Sequence, residues 1–216
     1  MPGLLVTGVN SRIVKELELL SHAGGYDVTK IGREMCNMRS LSDIYRNRSV
    51  FTAADRIVLT HGTLNNQPFL ERTEDSIQDS LSVNLTSVVA VCEMALQENN
   101  AVRIAVIGSE SASKGSYDIP YWLSKSALHA YVQNRRLDYP AQQLVCIAPS
   151  FVSDSGMTYH KTPAEIEAAV RDNPKRRGVL ACEVARLVHF LLFSESGYVT
   201  NTIVEMNGGK FARHKR

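Results

Sequence analysis

Val102-Arg-Ile-Ala-Val-Ile107, followed at once by Gly108-Ser109-Glu110-Ser111, is the stretch on which the reading of the fold turns. A short apolar, β-branched run that breaks into glycine and serine reads as a strand covered on both faces, the kind found in parallel sheets. Leu144–Ala148 has the same character, and residues from about Tyr121 to Leu137 between them carry helical spacing. Strand, helix and strand of this type make a right-handed crossover unit.

The same alternation extends outward to both ends. Leu4–Thr7 reads as a strand and Gly8 to Ser11 as a turn, after which Ile13, Val14, Leu17 and Leu20 share one helical face. Ser21–Gly25 stops that helix, Val28–Ile31 is the next strand, and Arg56–Thr60 a third. Ile77, Leu81, Leu85, Val88 and Cys92 predict one apolar stripe on a long helix, facing the core or a second subunit. Thr162-Pro163-Ala164-Glu165 is a capping box that starts another helix, Glu183–Phe193 is a further helix, and Thr202–Met206 the last strand. The pattern predicts a single α/β domain over residues 1–209, a doubly wound parallel sheet with ligands at the carboxyl ends of its strands. Lys210–Arg216 (KFARHKR) is then a basic tail, read as a solvated terminus in preference to a contact with a phosphate or a partner.

Composition narrows the function classes. Among 216 residues 44% are hydrophobic and 21% charged, which excludes disorder. A formal charge of +2 gives no ground for a nucleic-acid or membrane surface. The apolar runs are far shorter than the ~20 residues of a membrane span, and MPGLLVTGVN lacks the basic start and apolar run of a secretory signal. The scattered Cys36, Cys92, Cys146 and Cys182 read as reduced structural thiols, and the expected location is cytoplasmic. His61, His129 and His189 have no partners at ligand spacing. Strand-end, helix-surface and helix-core roles are expected of them, and no metal site.

Tyr121-Trp-Leu-Ser-Lys125 is the segment richest in chemistry. Residues four apart on a helix share a face, so phenol and ammonium meet. A free tyrosine has a pKa of ~10, and a nearby cation lowers it toward the range of a general acid–base. Ser109 and Ser111, at the end of the preceding strand, put hydroxyls where a carbonyl oxygen would be held.

These motifs together resemble the short-chain dehydrogenase/reductase family, nearly end to end. The family's strand, serine and YxxxK order is similar to IAVIGSES followed by YWLSKSAL, and its helix-borne asparagine falls on Asn84 in SVNLTSV. Its proline turn resembles Ile147–Met157, and its C-terminal signature resembles Arg177-Gly178, Glu183-Val184-Ala185 and Met206-Asn207-Gly208-Gly209. The resemblance implies a Rossmann-like, dinucleotide-binding domain. It implies that Tyr121 is the proton donor, that Lys125 tunes it and holds the nicotinamide ribose, and that Ser109 steadies the carbonyl while Asn84 organises a relay water. Ser109 stands one residue short of the commonest spacing from the tyrosine, which makes Ser111 the lesser candidate. A homodimer or homotetramer is a further implication.

The cofactor motifs depart from the family. The glycine-rich turn reads Thr7-Gly8-Val9-Asn10-Ser11-Arg12-Ile13-Val14 and keeps only its first glycine. Either Arg12 and Val14 crowd the pyrophosphate, or one residue is deleted and Ser11-Arg12 become phosphate ligands. Ile31-Gly32-Arg33 has no acidic residue for the ribose, and an arginine there accommodates a 2′-phosphate, so NADP(H) is preferred to NAD(H). Ser40-Leu41-Ser42-Asp43 resembles the family's adenine-pocket motif, with serine in place of its first aspartate. Only six residues separate Arg33 from Ser40, too few for the usual helix between strands two and three, which this chain is expected to lack. Gly62 remains from the motif that lines the cofactor, while Leu59 and Thr60 replace its asparagines. Pro149 and Val152 fall in the proline turn, and Asp154 stands for the threonine that meets the carboxamide, with Ser153 or Ser155 beside it. The expectation is an NADP(H)-dependent enzyme that interconverts a small-molecule carbonyl and alcohol. The alternative is a non-catalytic relative that binds a nucleotide or a protein partner.

Overall fold

The computed structural model describes residues 3–156, 162–171, 173–194 and 196–211. β1 (Gly3–Thr7) lies between β2 (Asp27–Ile31) and β3 (Arg56–Leu59). Next to β3 follow β4 (Arg103–Ile107), β5 (Gln143–Pro149) and β6 (Thr202–Met206), and every neighbouring pair is parallel. The strand order reverses between β1 and β3, and a crevice opens there at the carboxyl ends.

Side chains alternate along each strand, which divides the core in two. Leu5, Ile57, Leu59, Ile104, Leu144 and Cys146 point to one face, where α5 (Ser87–Glu98) and α7 (Ile119–Asn134) contribute Val91, Leu128 and Val132. Leu4, Val6, Val58, Val145 and Ile147 point to the other, against Val14 and Leu17 of α1 (Arg12–Ala23) and Val184 and Val188 of α9 (Ala181–Phe193). Each fully buried leucine or isoleucine here is worth about 1.5–3 kcal/mol relative to exposure. The capping box read at Thr162 forms at the head of α8 (Pro163–Arg171): Thr162 donates its N–H to Glu165 Oε2 at 2.7 Å, and Glu165 returns its own to Thr162 Oγ1 at 3.3 Å.

Two expectations change. Gly32–Ser40 is loop, as its length required, but the span between β2 and β3 is not without helix. Ser40 is the N-cap of α2 (Leu41–Arg46), accepting from Asp43 N at 3.2 Å, and α3 (Arg48–Thr52) comes directly after. A serine three residues ahead of an aspartate serves a helix start as well as it resembles an adenine-pocket motif. The sheet therefore ends at β2, whose Asp27, Thr29 and Lys30 are exposed.

The long helix is also out of step. Between α4 (Glu74–Leu81) and α5 the backbone takes a π-helical turn over Ser82–Thr86. That turn inserts one residue and rotates everything beyond it. Val88 and Cys92 are buried, whereas Ile77, Leu81 and Leu85 are only partly covered, so the predicted stripe is not one face. The whole stretch Glu74–Glu98 is long and apolar enough by composition to cross a membrane, but 56% of its most apolar window is buried inside this fold.

Candidate functional site

The crevice is a cleft of about 1030 Å³, lined at one end by Gly8, Asn10 and Ser11 and at the other by Ser109, Tyr121 and Phe151. β4 and the head of α7 set that second end. Asp118 caps α7 through Tyr121 N at 3.1 Å, and Pro120 sits in the first turn where its missing N–H costs nothing. Tyr121 and Lys125 then lie one turn apart with the ammonium 5.7 Å from the centroid of the phenol ring. Ser109 follows β4 directly; its Oγ accepts from Ser111 N at 3.1 Å and its hydroxyl is hydrogen-bonded to the Tyr121 phenol. Ser111 also lines the cleft.

Lys125 does not lower the phenol pKa as the sequence suggested. Tyr121 is raised above its ordinary value, chiefly by burial, while the Ser109 hydroxyl opposes the rise and Asp118 and Tyr117 add to it. Lys125 is 4% exposed and donates to the Ile107 carbonyl at 2.8 Å, and burial takes its own pKa down to about 8. A desolvated amine aimed at a carbonyl lends the phenol little stabilising charge.

Asn84 is fully buried in the π-helical turn and its side chain does not line the cleft. Its amide grips Thr63 on both sides, Oδ1 accepting from Thr63 N and Nδ2 donating to Thr63 O, each at 2.9 Å. The asparagine thus fixes a cleft-lining loop instead of offering its side chain to a water.

His61 ties the segment after β3 to the end of β1. Ser87 Oγ donates to Val83 O at 2.9 Å, so it accepts from His61 Nε2–H, also at 2.9 Å, and His61 Nδ1 accepts from Thr7 Oγ1 at 2.6 Å. Burial, with Lys125 adding to it, takes the His61 pKa down to about 3. His129 was read as a surface residue, but it is 8% exposed and lies close to Cys146 against Gly108, and burial takes it to about 4. Both histidines are neutral in the fold, so the unfolded chain takes up their protons first, near pH 6.5. Stability should therefore fall as pH drops below about 6.5, by roughly 1.4 kcal/mol per pH unit for each histidine until its folded pKa is reached. Urea unfolding at stepped pH checks this, and His129→Gln should remove about half of the slope between pH 6 and 5.

At the first end of the cleft, Gly8 takes φ +68° and the turn stays open, with Val14 packed in the core. Arg12 is turned outward to Glu16 Oε1 at 3.0 Å and does not line the cleft, so neither the crowding nor the phosphate role read for it is realised. Ser11 caps α1, accepting from Ile13 N at 3.2 Å, and Ile13 lines the cleft. Arg33 is exposed on the rim and makes no ion pair among the described residues. Gly62, Pro149, Val152 and Ser155 line the wall.

Leu41 lies outside the lining because it opens α2, and Cys36, Asn37, Met38 and Arg39 take the place expected for it. Asp154 also faces away, its Oδ1 accepting from Ala181 N at 2.8 Å at the head of α9. Glu110 and Lys114 were not anticipated; both line the cleft as an ion pair, with Lys210 Nζ 3.7 Å from the same carboxylate. Met157–Lys161 lie outside the described residues, as do Ala212–Arg216 of the segment read as tail. No cluster of metal-ligating side chains occurs among the described residues.

Comparison with known proteins bears on the fold and the family. A family model described as Enoyl-(Acyl carrier protein) reductase matches residues 4–210. The uncharacterized oxidoreductase YgfF of Escherichia coli (strain K12) is 26% identical over 213 residues, covering 90% of this chain and 83% of that protein. The 3-oxoacyl-[acyl-carrier-protein] reductase MabA of Mycobacterium tuberculosis (strain ATCC 25618 / H37Rv) is 26% identical over 165 residues, covering 73% of this chain and 66% of that protein. Among solved structures, a short chain dehydrogenase family protein from Francisella tularensis superposes with a TM-score of 0.83 at 20% identity, covering 99% of this chain and 100% of that one. A short-chain dehydrogenase/reductase from Brucella melitensis gives 0.85 at 21%, covering 97% and 96%. On the fold, the order of its motifs and the span of the family match, the chain belongs to the short-chain dehydrogenase/reductase family of oxidoreductases.

Proposed function

We propose that this oxidoreductase reduces a small-molecule carbonyl to an alcohol at the expense of NADPH, with Tyr121 as the proton donor. The observation that carries the reading is the convergence of Ser109, Tyr121 and Lys125 on one end of a cleft whose other end is the open first turn of the sheet. Gly8, Asn10, Ser11 and Ile13 would hold the pyrophosphate, Arg33 a 2′-phosphate, and Lys125 with Pro149 and Val152 the nicotinamide end. The nicotinamide supplies the hydride when it is bound.

Ser109 would donate to the carbonyl oxygen while negative charge gathers there. Tyr121 would deliver its proton to that oxygen. A phenol held above its ordinary pKa stays protonated at neutral pH, the form a reductase needs. Lys125, with a pKa near 8, would return a proton to the phenol.

The test is oxidation of NADPH in the presence of aldehydes, ketones and 3-oxoacyl thioesters, followed at the nicotinamide absorbance. No turnover with any of them, together with thermal stabilisation by NADP+, would replace this reading with that of a non-catalytic nucleotide binder. For the cofactor preference, Arg33→Ala should raise the Kd for NADP+ about 10- to 100-fold, the loss of one charge-assisted contact, and leave that for NAD+ within about twofold. Calorimetric titration measures both, and equal losses would show that Arg33 does not read the phosphate.

A further inference from the structure

The head of α7 carries a buried charge that the reaction above does not use. The Asp118 carboxylate receives Arg72 Nη1 at 2.7 Å, with side chains 0% and 2% exposed. It also accepts the backbone N–H of Tyr121 at 3.1 Å and that of Asn65 at 2.7 Å. Arg72 Nη2 donates to Ser76 O at 2.9 Å, and Asn65 Nδ2 donates to Ser76 Oγ at 3.2 Å, which ties both to the first turn of α4. Two residues before Asn65 stands Thr63, the residue gripped by Asn84.

Hydrogen bonds and one short peptide segment thus join Asn84, Thr63, Asn65, Asp118 and Tyr121 into a continuous frame. Neither Asp118 nor Arg72 lines the cleft. Capping a helix does not call for this arrangement, because serine or asparagine caps as well as aspartate without taking a charge out of water. Removing an ion pair from water is costly, and such pairs are retained where they fix one arrangement among several.

We propose that the Arg72–Asp118 pair is the positioning device of the site, clamping the backbone of Tyr121 and binding it to the Thr63–Asn65 loop that lines the same cleft. The proposal rests on Tyr121 being the acid of the reaction, and it adds residues that act through it. The pair also sets the field on the phenol. The groups that face that ring are Tyr117 and Asp118 from the turn ahead of α7, Lys125 from α7 and the neutral Ser109 from the end of β4. Of these Asp118 is the buried anion, and Arg72 is the counter-charge that moderates it.

Opposite substitutions should therefore move Tyr121 in opposite directions. Asp118→Asn keeps the cap and removes the anion, and the phenol should titrate about one pH unit lower. Arg72→Gln leaves the anion uncompensated, and the phenol should titrate higher by a similar amount. With ring-labelled tyrosine, the NMR signal of Tyr121, assigned by its loss in Tyr121→Phe, reports this without turnover. The alkaline limb of kcat for carbonyl reduction should move with it. If Asp118→Asn does not fold, the Asp118→Asn/Arg72→Gln pair supplies a neutral replacement and should likewise titrate lower than wild type.

Shifts of opposite sign support the proposal. An unmoved signal, or shifts in the same direction from both single variants, would overturn it, since a merely structural brace has no sign. Absence of turnover in the wild type would overturn the proposed function, while the tyrosine titration would still decide the role of the pair.

Discussion

Tyr121→Phe should lower carbonyl reduction by about 10²–10⁴-fold, the range that a positioned general acid supplies. The substitution removes one oxygen and little else. The ring is 8% exposed, it packs under the Lys125 ammonium, and it is held by a backbone bond to Asp118 that phenylalanine retains. The fold and the affinity for NADP+ should consequently be unchanged, and the loss should appear in kcat and not in KM. Steady-state rates beside a calorimetric Kd for NADP+ make the comparison. Activity within tenfold of wild type would show that the proton comes from elsewhere, with Ser109 the next group in reach.

Gly8→Ala should cost about 2–5 kcal/mol of stability. The residue sits at φ +68°, where a side chain costs about 1–2 kcal/mol. Its Cβ would lie 2.5 Å from Thr60 Oγ1 and 2.9 Å from His61 N. Thr60 has no freedom to yield, because its hydroxyl donates to Thr7 O at 2.6 Å and its N–H to Thr7 Oγ1 at 3.2 Å. Overpacking of that kind adds about 1–3 kcal/mol. A fall in Tm of roughly 5–20 °C is expected for a domain of this size. Gly25→Ala is the control: φ is +77° but nothing lies within 4 Å, so only the backbone cost should remain. Equal losses in the two variants would mean that the contact between the end of β1 and the segment after β3 gives way more easily than its hydrogen bonds indicate.

The central strands β1, β3, β4 and β5 were legible because each is built around an apolar run cut by glycine, serine or charge, and such runs carry their meaning locally. Ser109, Tyr121 and Lys125 were legible for the same reason: one strand end and one helical turn bring them together. Arg12 could have been placed from sequence, since Glu16 stands four residues on and offers it a partner on the helix surface. The π-helical turn could not, because one inserted residue leaves no mark in a pattern that tolerates spacings of three and four. The direction of the Tyr121 shift was equally hidden. A lysine one turn away is visible in the letters, whereas the depth of burial that outweighs it belongs to the packed fold. Asp118 announced itself only as the residue ahead of a proline-marked helix start, and its partner Arg72 lies too far along the chain for spacing to connect them.

The end of the sheet at β2 bears on how these molecules meet one another. Along Asp27–Ile31 one row of amide and carbonyl groups has no neighbouring strand among the described residues to receive it, which makes that border a template on which an extended chain could zip. Asp27 and Lys30 stand guard along it, the lysine moored to Glu18 at 2.8 Å, so that a second border arriving edge-on would have to strip water from fixed charges. Neutralising both would leave the Ser109–Tyr121 end of the cleft untouched and convert the rim from repellent to adhesive.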